Sequence, residues 1–250
     1  MNKRALITGS SSGIGFAYAR YLTKKGWDLD LISNDKDRSE KSKIDLDYKK
    51  ASFHTADLSK SKSIKNIISN FETPDLIVAN AGVAINGPIG KLNEQEKSEA
   101  YYLMCGGVID LIEGFASRMV DKSSGRIVII SSIGAISPMP KSSIYSSIKS
   151  GIYAYAKSIS AELRDKGVNV TVSLPGYVKT SAHKRAGLEH LESKVPSWMW
   201  IGPEKVVIET EKASINGKSE IVPGMVYKIA KPFLKFNSAV NLWRRITKRG

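Results

Sequence analysis

The alternation of short, continuous apolar runs with longer amphipathic stretches constrains this chain most strongly. RALIT (4–8), LDLIS (29–33), DLIVA (75–79), RIVIIS (126–131) and VNVTVSL (168–174) read as strands, with SEIVPG (219–224) as a short last one. They are leucine-rich or β-branched, and too continuous for a sheet wetted on one face. Residues 14–25, 61–71, 94–120 and 143–166 read as helices, and 203–217 as another with Pro203 in its first turn. The pattern predicts an α/β fold: a doubly wound parallel sheet of about seven strands with helices on both faces. Such a sheet puts its binding crevice at the carboxyl ends of the strands. One domain is expected over 1–224, with a basic, amphipathic stretch at 225–250.

ITGSSSGIG (7–15) lies between the first strand and the first helix. Gly9 would permit the tight turn, Gly13 would let backbone amides approach a pyrophosphate, and Gly15 would let helix and sheet pack closely. The free amides and positive dipole of the helix start would then hold the phosphates. A second spacing carries chemistry in SSIYSSIKSGI (142–152). Tyr145 and Lys149 stand four apart, so they share one helical face. A free tyrosine has a pKa of ~10, and an ammonium within ~4–6 Å lowers it by one to three units. Each unit is worth ~1.4 kcal/mol in a proton-transfer step. A Tyr and a Lys sharing a surface helix would look the same, so the pair gains meaning from its surroundings.

Those surroundings resemble the short-chain dehydrogenase/reductase family, a single-domain Rossmann type. Thr8-Gly9-Ser10-Ser11-Ser12-Gly13-Ile14-Gly15 is similar to its cofactor motif, and Asn80-Ala81-Gly82 to its second motif. Ser132, then Tyr145 thirteen residues on, then Lys149, match its catalytic serine and Tyr-x-x-x-Lys pair. Pro175-Gly176 with Val178 and Thr180 matches the segment used against the nicotinamide, and Asp57-Leu58 falls where the family lines the adenine pocket. The likeness runs in order from about residue 3 to about 180. It implies an NAD(P)-dependent oxidoreductase acting on a carbonyl or alcohol carbon. Tyr145 would exchange the proton, Ser132 would hold the substrate oxygen, and Lys149 would tune Tyr145 and grip the nicotinamide ribose. It also implies a substrate lid at 181–202 and a homodimer or homotetramer.

Two features complicate the likeness. The family carries an asparagine in the helix before the catalytic strand, and Met104 falls at that place. A thioether is a weak acceptor and cannot donate. Either a neighbour supplies the proton relay, or exchange is slow, or the chain is a non-catalytic dinucleotide-binding sensor or membrane-associated scaffold; Met104 also reads as a core residue. The second feature is ISNDKDR (32–38), at the end of the second strand. By resemblance Ser33 and Asn34 choose the dinucleotide; an acid there would suit NAD(H), and its absence points to NADP(H). Asp35 remains an alternative acid, and Lys36 and Arg38 are candidates for a phosphate.

Composition excludes other classes. One cysteine, Cys105, rules out an internal disulfide, and three scattered histidines without a cysteine cluster speak against a metal site. No run reaches the ~18–20 apolar residues of a spanning helix, and MNKRALITGS enters a strand at once, so a cytoplasmic protein without a removable leader is expected. The net charge of +14 shows none of the basic-aromatic patterns of nucleic-acid modules. Half of it lies in residues 225–250, which hold seven Lys or Arg and no acid. There Phe233, Phe236, Val240, Trp243 and Ile246 recur at helical spacing. This suggests contact of 232–249 with the inner face of a membrane and a lipophilic substrate; packing on the body or on a second subunit is the competing reading. Trp198, Met199 and Trp200 read either as walls of an apolar substrate pocket or as anchors of the lid.

Overall fold

A computed structural model of the chain describes residues 3–43, 46, 50–138, 140–181, 194–236, 241–242 and 245–246. Its strands are β1 (Arg4–Thr8), β2 (Asp28–Ser33), β3 (Ala51–Thr55), β4 (Leu76–Ala79), β5 (Gly125–Ile130), β6 (Val168–Ser173) and β7 (Glu220–Ile221). They form one sheet in the order β3-β2-β1-β4-β5-β6-β7, every pair parallel. The chain winds outward from β1 to β3, returns to β4 beside β1, and winds outward the other way. The topological switch point therefore lies between β1 and β4, where open α/β sheets bind their ligands.

The continuous apolar runs have a direct cause: alternate residues of each strand feed opposite cores. Leu6, Ile32, Ile77, Ile127 and Ile129 join α3 (Ser61–Asn70), α5 (Gly107–Asp121) and α6 (Ser143–Leu163) on one face. Ala5, Ile7, Leu31, Val78 and Val128 join α1 (Gly13–Thr23) and α7 (Pro203–Ile215) on the other. On that second side Glu211, 2% exposed, pairs with Arg126 at 2.8 Å and accepts from Tyr18 Oη at 3.3 Å. Arg126 also donates to Ser214 Oγ at 3.2 Å, so one network joins α1, β5 and α7. Removing one member of such a buried pair generally costs about 3–5 kcal/mol, because the other charge stays buried alone.

Two elements depart from the sequence reading. β3 (ASFHT) carries no strand signal in the sequence, because it is an edge strand of mixed polarity and none of its five residues is buried. The helix expected over 94–120 is broken: α4 (Glu94–Tyr101) and α5 are joined by a π-helical turn, Tyr102–Gly106. α2 (Lys36–Lys43) lies between β2 and β3, and α8 (Met225–Ala230) leads into a 3-10 turn, Lys231–Lys235.

The basic C-terminal stretch begins inside the body. Tyr227 is fully buried, accepts from the Tyr177 backbone N–H at 2.9 Å, and donates to the Met199 carbonyl. Phe233 and Phe236 are exposed, while Ile246 is packed against the core, so at Ile246 the structure agrees with packing on the body. Val240 and Trp243 lie outside the described residues.

Candidate active site

A cleft of about 440 Å³ opens at the switch point. Its floor is the glycine turn. Gly9 has φ +64°, and a Cβ there would stand 2.8 Å from Ala81 Cα. A Cβ on Gly15 would fall 2.3 Å from the Gly9 carbonyl oxygen, which fixes Gly15 as a packing residue behind the cleft and not on its wall. Asn80 clamps the turn: its Nδ2 donates to the carbonyls of Thr8 (3.0 Å) and Gly9 (3.2 Å). Thr8 Oγ1 in return accepts from the backbone N–H groups of Asn80 and Ala81, both at 3.0 Å. Ser12 caps α1 without a side-chain cap hydrogen bond, leaving the first-turn amides to another partner. Gly9, Ser11, Ser12, Gly13 and Ile14 line the cleft, with Asn80, Ala81 and Gly82 beside them. Asp57 and Leu58 lie along one wall, and Pro175, Gly176, Val178 and Thr180 along another.

The three chemistry-bearing side chains reach the same cleft. Ser132 follows β5 and caps a short 3-10 turn, its Oγ accepting from the Gly134 N–H at 3.1 Å. Tyr145 and Lys149 stand one turn apart on α6, the ammonium 5.8 Å from the centre of the tyrosine ring. A Cβ on Gly134 would lie 3.4 Å from Ser132 Oγ and 3.7 Å from Tyr145 Cε1, so serine and phenol flank one point. Lys149 is 6% exposed and donates to the Ile130 carbonyl at 3.0 Å. Burial brings its pKa down to about 8, opposed by the nearby Cys105. The group therefore stays mostly protonated at pH 7 and loses its charge above about pH 8.

A family model described as short chain dehydrogenase matches residues 3–190. The chain belongs to the short-chain dehydrogenase/reductase family. It is an NAD(P)-dependent oxidoreductase. It is 29% identical over 191 residues to the 3-oxoacyl-[acyl-carrier-protein] reductase FabG of Chlamydia muridarum, covering 74% of this chain and 77% of that one. It is 28% identical over 222 residues to the protein of the same name from Rickettsia prowazekii, covering 88% and 92%. Among solved structures, a short-chain dehydrogenase from Sphingobium yanoikuyae in complex with NADPH superimposes with a TM-score of 0.84, at 23% identity over 96% of this chain and 95% of that one. The bulky-bulky ketone specific alcohol dehydrogenase from Comamonas testosteroni gives a TM-score of 0.80, at 22% identity over 96% and 93%.

Elsewhere the dehydrogenase fold decides between readings the sequence left open. Asp35 does not line the cleft. It caps α2, accepting from the Arg38 backbone N–H at 2.8 Å and from Arg38 Nε at 2.5 Å. Ser33, Asn34 and Arg38 do line it, and Ser33 Oγ donates to Ser11 Oγ at 2.8 Å; Lys36 does not. Met104 is 1% exposed, packs with Ala100 and Ile148, and also meets the cleft, within the π-helical turn. An inserted π turn beside a reactive site is a recurrent device for re-aiming side chains. The hydrophobic pattern gave no hint of it.

Trp198, Met199 and Trp200 do not line the cleft. Met199 is buried in the core, Trp200 packs on Tyr177 at 5.4 Å between ring centres, and Trp198 is exposed. Met199 and Trp200 therefore pack on the body and Trp198 does not; residues 182–193 of the expected lid lie outside the described residues. Wall residues the sequence did not single out include Ala56, Val83, Leu103 and Ser131. Ser131 Oγ donates to the Lys149 carbonyl at 2.9 Å, tying α6 to β5 behind the reactive groups. Among the described residues no cluster of three or more His, Cys, Asp or Glu is placed to hold a metal.

Proposed function

We propose that this dehydrogenase reduces a carbonyl compound at the expense of NADP(H), with Tyr145, Lys149 and Ser132 as the working side chains. The observation carrying this reading is that all three line the same cleft as the glycine turn. The cleft fits a dinucleotide: the backbone cradle at Gly9 has no room for a side chain, and the α1 start lacks a side-chain cap. Ser11, Ser12, Gly13 and Ile14 would hold its phosphates, Asp57 and Leu58 the adenine end, and Pro175 to Thr180 the nicotinamide end. When bound, the nicotinamide supplies the hydride.

The remaining work belongs to the chain. Ser132 Oγ donates a hydrogen bond to the substrate oxygen and fixes its position. Tyr145 delivers the proton to that oxygen from its phenol group. Lys149 stabilises the phenolate left behind, because its ammonium sits beside the ring in a poorly solvated place. The names of the curated relatives, both reductases, support the carbonyl-to-alcohol direction.

The preference for NADP(H) rests on Arg38. Among the described residues no acid other than Asp57 reaches the cleft wall, and Asp57 is held by Ser59, whose backbone and hydroxyl donate at 2.9 and 2.7 Å. Arg38 is on that wall beside Ser33 and Asn34, and its Nη groups make no hydrogen bond among the described residues. The NADPH complex of the Sphingobium relative agrees with this assignment. Titration of both dinucleotides should give tighter binding of NADPH, and Arg38→Ala should weaken NADPH about ten-fold or more while sparing NADH. Tighter binding of NADH by the wild-type protein would overturn the assignment.

The partner reading extends to an anionic membrane surface. Met225 and Ile229, 64 and 62% exposed, stand one turn apart on α8, and Phe233 and Phe236, 56 and 61% exposed, lie in and just after the turn that follows. Lys228 and Lys231 are held by Glu209 and Glu220, but five further Lys or Arg and no acid follow Pro232. Among the described residues no helix is long and apolar enough to cross a membrane, so contact would be with the surface. The protein should sediment with phosphatidylglycerol vesicles and not with phosphatidylcholine vesicles, and Ile229→Glu with Phe233→Glu should abolish sedimentation. If both vesicles leave the wild-type protein in the supernatant, the reading fails; if light scattering shows the same double variant dissociating a dimer, the stripe is a subunit contact.

A further inference from the structure

A second hollow adjoins the cleft and shares Tyr145 with it. It measures about 170 Å³ and lies between the loop after β4 and the start of α6. Ile85, Leu92 and Ile144 give it apolar walls; among the described residues Lys97 and Lys141 supply its only charges, and no carboxylate lines it. Neither ammonium has an ion-pair partner among the described residues. Lys141 has a left-handed backbone, φ +64°, held by a hydrogen bond from the Gly87 N–H to its carbonyl at 2.8 Å. A non-glycine residue in that conformation costs roughly 1–2 kcal/mol. Strain of this kind in a pocket wall beside a reactive side chain is a reason to look for function there.

We propose that this hollow holds the far end of the substrate and selects carbonyl compounds whose apolar body carries a carboxylate or a phosphate, the anion being held by Lys97 and Lys141. The inference rests on the reading of Tyr145 as the residue that meets the carbonyl, since only then does the hollow continue the reacting site. The two lysines come from α4 and from the residues just before α6, so the anion also bridges two segments that flank Tyr145. Apolar walls with two cations suit an amphiphilic chain better than a sugar, which would leave the isoleucines and leucine facing hydroxyls.

The test uses non-reducible probes, so that binding is read apart from turnover. The full-length protein is first titrated with NADPH by calorimetry, which checks the cleft by itself. The complex is then titrated with hexanoate, hexyl phosphate and hexanamide, and the same three are titrated into the protein without dinucleotide. The expected result is that at least one anion binds ten-fold or more tighter than hexanamide, the better of the two identifying carboxylate or phosphate. Lys97→Gln combined with Lys141→Gln should remove that preference and leave NADPH affinity unchanged. Equal binding of anions and amide, no binding of any of the three, or a preference that survives the double variant overturns the subsite. Loss of NADPH binding alone overturns the cleft reading instead, and the titrations without dinucleotide still decide the subsite.

Discussion

Tyr145→Phe is expected to lower kcat/KM about 10³-fold, within the range a positioned general acid contributes. The substitution removes one oxygen and keeps the ring, which packs beside Ile148 and Met104 on the inner side of α6. NADPH affinity should change by less than about two-fold, because on the proposed reading the glycine turn and the two long walls of the cleft would hold the dinucleotide. Initial-rate measurements of NADPH consumption with a panel of ketones and aldehydes, paired with titration of the cofactor, check both halves. A variant within ten-fold of the wild-type rate would remove the phenol from the mechanism. A wild-type protein that binds NADPH and reduces nothing in the panel would favour the non-catalytic sensor instead. Met104, at the place of the expected asparagine, is the one feature on that side.

Lys149→Met should separate stability from activity. The wild-type ammonium is buried at a desolvation cost that its single hydrogen bond to Ile130 does not offset, which is why its pKa falls from the ordinary lysine value to about 8. A shift of this size corresponds to roughly 3 kcal/mol, from which the carbonyl left without a donor subtracts about 1 kcal/mol or more. Methionine fills a similar volume without charge, so the cofactor-free variant should be more stable at pH 7 by about 1–2 kcal/mol, or several degrees in Tm. The pH dependence has a definite sign. Below about pH 8 the lysine is protonated in both states and the full cost is present. Between about pH 8 and 10.5 the unfolded chain binds more protons than the folded one, so wild-type stability rises with pH. The advantage of Lys149→Met should therefore shrink across that window, as thermal melts at pH 7, 9 and 10 would reveal. Activity should meanwhile fall by about 10² or more, through loss of the charge that favours the phenolate. A variant no more stable than wild type at pH 7, or an advantage that grows with pH, would contradict this account. The exchange is the familiar one in which a reactive group is kept at the expense of stability.

The membrane reading and the hollow beside Tyr145 concern the two ends of one question, namely what reaches the cleft. Tyr227 is the physical link. It lies under Gly176, where a Cβ would stand 2.0 Å from its ring, and it joins Tyr177 to Met199 through its hydroxyl. The opposite side of α8 carries Met225 and Ile229.

Much of the cleft is legible in the sequence. The periodicity of 3.6 places Tyr145 and Lys149 on one face, and the continuous strands demand a sheet covered on both sides, whose crevice must lie at its carboxyl edge. The glycine turn needed no more than its position after β1. These signals are local: each is carried by residues within one or two turns of the chain. β3 escaped because an edge strand needs only a partial apolar face. The π turn escaped because a single wide turn leaves the chain helical on both sides, so the stretch still reads as one helix.

What the sequence by itself determined is thus the fold class and the location of the crevice, both set by backbone periodicity; Tyr145 and Lys149 as a reacting pair come from the resemblance to the family. Only the tertiary structure decided which of several neighbouring polar residues face that crevice. Asp35 and Arg38 are three residues apart, yet the cap of α2 takes the carboxylate out of the wall and leaves the guanidinium on it. Lys97 and Lys141 are forty-four residues apart and meet around one hollow only because α4 and α6 pack against the same loop. The direction of a side chain depends on which hydrogen bonds and burial its neighbours make available, and those neighbours are chosen by the packing of the whole sheet.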